Sequence, residues 1–201
     1  ELLANSLKED LSHFYYNLDW TEQANEADSA DADGSWLVLA DSAVAPAISA
    51  ELAGKGQKVV TVSHGAAFSV SGLNATVRPD VADDFKQLLA HDLWKSIPAC
   101  AGVVHMWSLD GSKVADPSPA ELDAANKVGT HSALLLSQAL SEWDATPRVW
   151  LVTRGTQAAP GDEGGLAYAQ SPLFGFGKVL ALERPKMQCV RIDLGLTPGP
   201  M

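Results

Sequence analysis

Short apolar runs alternate with longer amphipathic segments over most of the sequence, from Ser35 to Leu194. Apolar runs rich in aliphatic and aromatic residues predict β-strands, and segments with apolar residues three or four apart predict helices. Because the strands are largely apolar, both of their faces must be covered, as in a parallel sheet between helices. The predicted strands span residues 36–40, 58–62, 73–77, 102–107, 148–153 and 189–194, and the predicted helices span residues 44–53, 81–91, 118–143 and 167–183.

Local signals support several of these boundaries. Ser118, Pro119 and Glu121 form the pattern of a capping box with proline at the first helical position. Asp80 is predicted to cap the helix that follows it, and Pro185 is predicted to end the last helix. With right-handed crossovers, the pattern predicts an α/β protein with a Rossmann-like, doubly wound parallel sheet. This fold does not by itself define a function.

Charge is distributed unevenly along the chain. The 201 residues include 14 basic and 25 acidic residues, giving a formal net charge of −11. Residues 1–33 contain nine of the acidic residues and a single basic residue, Lys8. The rest of the chain is therefore close to neutral. This balance argues against nucleic acid or an anionic membrane surface as a partner, because both require basic patches.

The composition divides the sequence at residue 34. Residues 1–34 hold an aromatic segment at 14–20, predicted to form an extra N-terminal strand, and then an acidic linker. Residues 35–201 form the predicted Rossmann-like domain. Phe14 and Trp20 lie outside the repeating pattern, and we expect them to contact a neighbouring domain.

Cys100 and Cys189 are far apart in apolar surroundings, which is typical of reduced core thiols. No apolar run approaches the length of a membrane span. A start at Glu1 and a proline-rich end suggest part of a larger polypeptide, and the expected location is the cytoplasm.

Both determinants of a dinucleotide site are missing from their usual positions. A Rossmann-type site needs glycines between the first strand and its helix, so that the pyrophosphate can approach the helix N-terminus. Residues 40–47 contain no glycine, and Asp41 would place a carboxylate beside the phosphates. The second strand is followed by Ser63 and His64, where an acid for the ribose or an arginine for a 2′-phosphate is expected. We therefore predict no cofactor-binding residues.

The histidines and tryptophans favour structural roles. None of the five histidines occurs at ligand spacing along the chain, so we predict no metal-binding residues. His105, inside an apolar strand, is predicted to be a hydrogen-bonded core residue. The remaining tryptophans are predicted to pack in the core, and they are Trp36, Trp94, Trp107, Trp143 and Trp150.

Several stretches of the sequence form a recognisable set, and they are residues 36–41, 102–110, 148–157, 169–185 and 191–194. Together they resemble the structural subdomain of ketoreductase regions in modular type I polyketide synthases. The resemblance spans nearly the whole chain, and the third and fourth stretches are the most specific.

The resemblance implies a truncated short-chain-dehydrogenase-like half that binds no cofactor. Its role would be to support an adjoining half that binds NADPH and reduces β-ketoacyl chains on the carrier protein. The implied partners are other domains of the same synthase: the catalytic ketoreductase half, the acyl carrier protein, and an enoylreductase, dehydratase or methyltransferase where the synthase has one. Taken alone, the fragment would not be an enzyme.

The sequence departs from the catalytic half at the positions that carry chemistry. Tyr168 has a suitable Gly/Ala setting, but Pro172 stands four residues later, where the family's catalytic half has Lys or Asn. Thr153, Gly155 and Thr156 precede it where a serine is expected. A relay of Tyr168 with Lys127 would have no hydride to accompany, so we predict no catalytic residues.

Two other functions remain open at this point. The chain could be the scaffold of a pseudo-ketoreductase in a non-reducing or methylating module. It could also be an independent short-chain oxidoreductase, in which ketone reduction would depend on Tyr168.

Overall fold

The computed structural model describes residues 20–23, 34–41, 44–110, 117–158 and 166–195. Seven strands form one sheet in the order β3-β4-β2-β1-β5-β6-β7. β3 is antiparallel to β4, and all other neighbouring strands are parallel. The strands are β1 (Ser35–Leu39), β2 (Lys58–His64), β3 (Ser69–Ser71), β4 (Asn74–Val77), β5 (Cys100–His105), β6 (Arg148–Arg154) and β7 (Val190–Leu194).

Helices connect the parallel strands. The α-helices are α1 (Ala45–Gly54), α2 (Ala82–Ala90), α3 (Pro119–Asn126), α4 (Ser132–Glu142) and α5 (Ser171–Glu183). A π-helical segment, Lys127–His131, joins α3 to α4. Short 3₁₀ turns cover Asp92–Lys95, Trp107–Asp110, Tyr168–Gln170 and Pro185–Met187. No helix in the described ranges is long and apolar enough to cross a membrane.

The chain winds outwards from β1 in both directions, as the sequence predicts for a doubly wound sheet. Alternate residues of β1 enter two separate cores because successive side chains of a strand point to opposite faces. Leu37 and Leu39 join the core beneath α2, α4 and α5, whereas Val38 joins a smaller core beneath α1. Among the described helices, α1 alone covers this second face.

Most predicted boundaries agree with the structure to within one or two residues. The Ser118 capping box is present: the Ser118 amide donates to the Glu121 carboxylate at 2.8 Å. The short edge strand β3 was not predicted. The predicted N-terminal strand lies outside the described residues, except Trp20, which is not in a strand.

The predicted cap of α2 is wrong. Val81 occupies the N-cap position and makes no side-chain cap, whereas the Asp80 carboxylate lies 2.7 Å from Lys127 Nζ. Asp84, in the first turn, is instead a buried acceptor for Arg78. The carboxylate takes the Arg78 backbone N–H at 2.8 Å, Nε at 3.0 Å and Nη2 at 2.6 Å. These hydrogen bonds between Arg78 and Asp84 connect the start of α2 to the end of β4.

Two tryptophans meet above a glycine in the second face of the sheet. The indoles of Trp36 on β1 and Trp150 on β6 lie 5.1 Å apart between ring centroids. Both rings lie over Gly102 on β5, the strand between β1 and β6. A Cβ atom added to Gly102 would lie 2.4 Å from the Trp36 ring and 2.6 Å from the Trp150 ring. Gly102 therefore provides the space in which these side chains pack.

We expect Gly102→Ala to lower the free energy of unfolding by about 1–3 kcal/mol, because the methyl group overpacks the two indoles. Urea unfolding followed by tryptophan fluorescence measures the change. Gly54→Ala, at the end of α1, is the matched control because a Cβ there has no neighbour within 4 Å. Equal stabilities of the two variants would contradict the packing role of Gly102.

We expect Asp84→Asn to lower the free energy of unfolding by about 2 kcal/mol, which is the usual contribution of hydrogen bonds to a charged group. The Arg78 guanidinium holds the pKa of Asp84 below its usual value, against the opposing effect of burial. A lowered folded-state pKa contributes stability above the unfolded pKa, near 4, and loses it as pH falls through the folded value.

The stability difference between the parent and Asp84→Asn should therefore shrink as pH falls below about 4. Thermal melts between neutral and acidic pH test this. Asp92→Asn is the control, because the Asp92–Lys95 pair is exposed and should contribute little. A pH-independent difference would contradict an ionised role for Asp84.

Candidate functional site

The carboxyl-end edge of the sheet is the place to look for a site, since doubly wound folds bind ligands where the strand order reverses. Here that reversal lies between β1 and β5. Asp41 follows β1, His64 ends β2, and Asp110 ends the 3₁₀ turn after β5. We call these three residues the edge cluster.

The edge cluster is held by short polar contacts. The Asp41 backbone N–H donates to Asp110 Oδ2 at 3.1 Å, and His64 Nε2 lies 3.4 Å from Asp41 Oδ2. One nitrogen or oxygen from each residue lies within 4.8 Å of the others. Partial burial raises the pKa of the Asp110 carboxyl, and the nearby Asp41 charge adds to this effect. The edge thus concentrates negative charge where a Rossmann site would receive phosphates.

Trp107 supports the cluster from below. Its indole is fully buried, and Nε1 donates to the Val62 carbonyl at 3.2 Å. The His64 ring meets it edge-on, with centroids 5.6 Å apart and planes at 88°. A cavity of about 220 Å³ opens beside these rings; its lining includes His64, Trp107, Asp110, Glu121 and Ala169.

The turn between β1 and α1 is poorly suited to a pyrophosphate. No glycine stands between Ala40 and Pro46, so side chains replace the open backbone that a phosphate approaches. Pro46 lies in the first turn of α1 and lacks an N–H group. A like charge at about 4 Å costs about 4 kcal/mol at an effective dielectric constant of 20, so Asp41 adds repulsion.

The residues considered for a proton relay are separately engaged. Lys127 Nζ lies 2.7 Å from Asp80 Oδ2. Tyr168 is 58% exposed, at the start of the 3₁₀ turn before α5. Pro172 lies in the first turn of α5, four residues after Tyr168.

Neither cysteine thiol is activated as a nucleophile. Burial raises the pKa of Cys100 to about 12 and also raises the pKa of Cys189.

The loop after β6 is organised by a residue to which the sequence analysis gave no role. The Asp193 carboxylate, on β7, accepts the backbone N–H groups of Thr156 and Gln157, each at 2.9 Å, and the Thr153 hydroxyl at 2.7 Å. Gly155 begins this turn with a φ of 64°, which favours glycine. The stretches 148–157 and 191–194 therefore form one hydrogen-bonded unit.

His105 is a core residue, as predicted. It is fully buried, and Nε2 lies 2.8 Å from Ser132 Oγ. The single proton of the Ser132 hydroxyl is directed to the carbonyls of Val128 and Gly129, which leaves Ser132 Oγ to accept a hydrogen bond from His105 Nε2. This contact links β5 to the first residue of α4 and, through the Ser132 hydroxyl, to the π-helical segment.

Residues 34–197 match the family described as beta-ketoacyl synthase-like, N-terminal. The chain belongs to this family. A phenolphthiocerol/phthiocerol polyketide synthase protein of Mycobacterium tuberculosis is 29% identical over 195 residues, covering 92% of this chain and 10% of the relative. The pikromycin polyketide synthase component PikAII of Streptomyces venezuelae is 29% identical over 187 residues, which cover 89% of this chain and 4% of the relative. The chain thus spans a tenth or less of these relatives.

Solved structures agree with the fold. A ketoreductase-containing module of a keto acid-selecting NRPS aligns with a TM-score of 0.73 at 20% identity, covering 83% of this chain and 14% of that one. An N-terminal ketoreductase from the macrolactin assembly line aligns with a TM-score of 0.61 at 13% identity, and the alignment covers 81% of this chain and 32% of that one. The matches confirm the Rossmann-like fold and the resemblance to the ketoreductase region of polyketide synthases.

We expect His105 to stay neutral in the folded protein, because burial lowers its pKa to about 3. The unfolded chain binds this proton near pH 6.5, so acid favours unfolding between about pH 6.5 and 3. His105→Gln should flatten the pH dependence of unfolding free energy over this range. NMR titration of the imidazole is the direct measurement, and protonation of the folded ring above pH 5 would contradict the prediction.

Proposed function

We propose that this chain is the non-catalytic, structural half of the ketoreductase region of a cytoplasmic polyketide synthase. In this role it supports an adjoining half that binds NADPH and reduces β-ketoacyl chains on the carrier protein. In this proposal, none of the residues that the structure describes is catalytic or binds a cofactor. Its partners are other domains of the same polypeptide, first among them the catalytic half.

One observation carries the proposal: the switch point between β1 and β5 holds the edge cluster in place of a phosphate cradle. Asp41 and Asp110 bring two carboxyl groups to the place where a dinucleotide brings two phosphate charges. The absence of glycine from residues 40–46 and the proline in α1 remove the backbone approach as well. Charge repulsion and the loss of backbone hydrogen bonds both weaken dinucleotide binding. In this proposal the chain therefore keeps the Rossmann-like fold but binds no cofactor.

Exposed apolar side chains support a role in contact with other domains. Leu182 and Val179 on α5 are 83% and 49% exposed, and Ile192 on the edge strand β7 is 38% exposed. The second face of the sheet is covered by α1 alone among the described helices. Exposed apolar groups grouped at one edge are typical of surfaces that meet a partner.

We expect no saturable binding of NADPH to the 201-residue chain, measured by tryptophan fluorescence quenching and corrected with free tryptophan. The double variant Asp41→Asn/Asp110→Asn should also fail to bind, because the glycine-free turn and Pro46 remain. A micromolar Kd for the parent chain would overturn the proposal. Binding by the double variant alone would show that repulsion, rather than the turn, excludes the cofactor.

The supporting role is tested by mixing the chain with the adjoining reductase half of its synthase. We expect a stable complex on size-exclusion chromatography and a higher melting temperature for the reductase half. Leu182→Ser should weaken the complex, and Leu134→Ser, on α4 and 38% exposed, is the control for loss of an exposed apolar side chain. Full stability and activity of the reductase half without this chain would contradict the proposal.

A further inference from the structure

The edge cluster has the composition of a transition-metal site. It joins an imidazole to two carboxylates, and these groups suit Zn²⁺ and similar ions; Mg²⁺ and Ca²⁺ prefer oxygen ligands alone. The three residues come from three different strand ends, more than 20 residues apart in sequence. Spacing along the chain could not reveal such a set, which is why the sequence analysis predicted no metal ligands.

The ligand atoms are already close to coordination geometry. All lie within 4.8 Å of one another, and His64 Nε2 is 3.4 Å from Asp41 Oδ2. A tetrahedral ion with bonds of about 2.0–2.2 Å separates its ligands by about 3.3–3.6 Å. The His64–Asp41 separation falls in this range, whereas separations of up to 4.8 Å require the carboxylates to turn towards the ion.

Neighbouring groups orient two of the ligands. The Asp41 backbone N–H holds Asp110 Oδ2 at 3.1 Å, and a carboxylate retains further lone pairs for a metal. The buried Trp107 ring contacts the His64 imidazole edge-on. Hydrogen bonds to ligating carboxylates, such as that from the Asp41 N–H to Asp110, are typical of metal sites.

The surroundings provide both an electrostatic reason for a cation and room for another ligand. Asp41 and Asp110 bring two carboxylate oxygens within 4.8 Å of each other, and a divalent ion between them would offset their mutual repulsion. His64 and Asp110 also line the cavity of about 220 Å³, so a fourth coordination position can face open space.

We propose that Asp41, His64 and Asp110 bind one divalent transition-metal ion of the Zn²⁺ class. The ion ties the ends of β1 and β2 to the turn after β5, at the position that a cofactor occupies in a nucleotide-binding Rossmann fold. This inference does not rest on the proposed scaffold function. A bound ion would offset the carboxylate charge that opposes phosphates, but the glycine-free turn and Pro46 would still oppose a dinucleotide. NADPH binding and support of the adjoining half therefore test the scaffold function separately from metal binding.

The test uses the chelator-treated 201-residue chain and the metal ions alone. Calorimetry with Zn²⁺ should give one binding event per chain, and Co²⁺ should produce the visible bands of tetrahedral cobalt. His64→Gln and Asp110→Asn should each weaken binding at least tenfold. His131→Gln and Asp123→Asn are matched controls, because both residues are exposed and lie outside the edge cluster.

A second measurement avoids substitutions that could disturb folding. Substoichiometric Co²⁺ should shift or broaden the His64 ring resonances of the unmodified chain before those of His131, and Zn²⁺ should raise its Tm. Absence of binding would overturn the proposal. Binding of equal strength in the edge-cluster and control variants, or paramagnetic effects centred on another histidine, would overturn it as well.

Discussion

Strand β1 has no face open to solvent, and the arrangement of the other elements follows from that burial. Leu37, Val38 and Leu39 are fully buried, although their side chains point alternately to opposite faces of the sheet. A strand apolar on both faces must lie in the middle of a sheet with cover above and below. The chain meets this condition by winding outwards from β1 in both directions, which creates the switch point between β1 and β5.

The switch point carries two carboxyl groups and an imidazole at the position where a Rossmann-type site receives phosphates. Parallel strands bring the first polar residues after each run to one edge, so Asp41, His64 and Asp110 meet there. Trp107 and His105 fill the space beneath them with edge-to-face ring contacts. Trp107 and His105 are fully buried, so the space beneath the edge is filled by side chains of this chain.

The two faces of the sheet differ in how completely they are covered. Three helices bury one face, whereas the other depends on α1 and on the Trp36–Trp150 pair above Gly102. Ile192 on the edge strand β7 and Leu182 on α5, a helix that packs on the first face, are also exposed. Such incomplete burial is costly for an isolated domain but is ordinary for one that packs among neighbours.

The sequence by itself determined the order of the strands and helices, because hydrophobic periodicity is local and strong in this chain. It also determined the absence of a glycine-rich turn and the capping box at Ser118. The burial of His105 follows from its place in an apolar strand.

Tertiary structure decided the contacts between residues distant in sequence. Asp80 pairs with Lys127 rather than capping α2, Asp84 accepts from Arg78, and Asp193 organises the loop after β6. The edge cluster is of the same kind, since its three residues meet only when parallel strands align their carboxyl ends. Local propensity carries no information about which polar groups will meet across a sheet, because that depends on strand order and register.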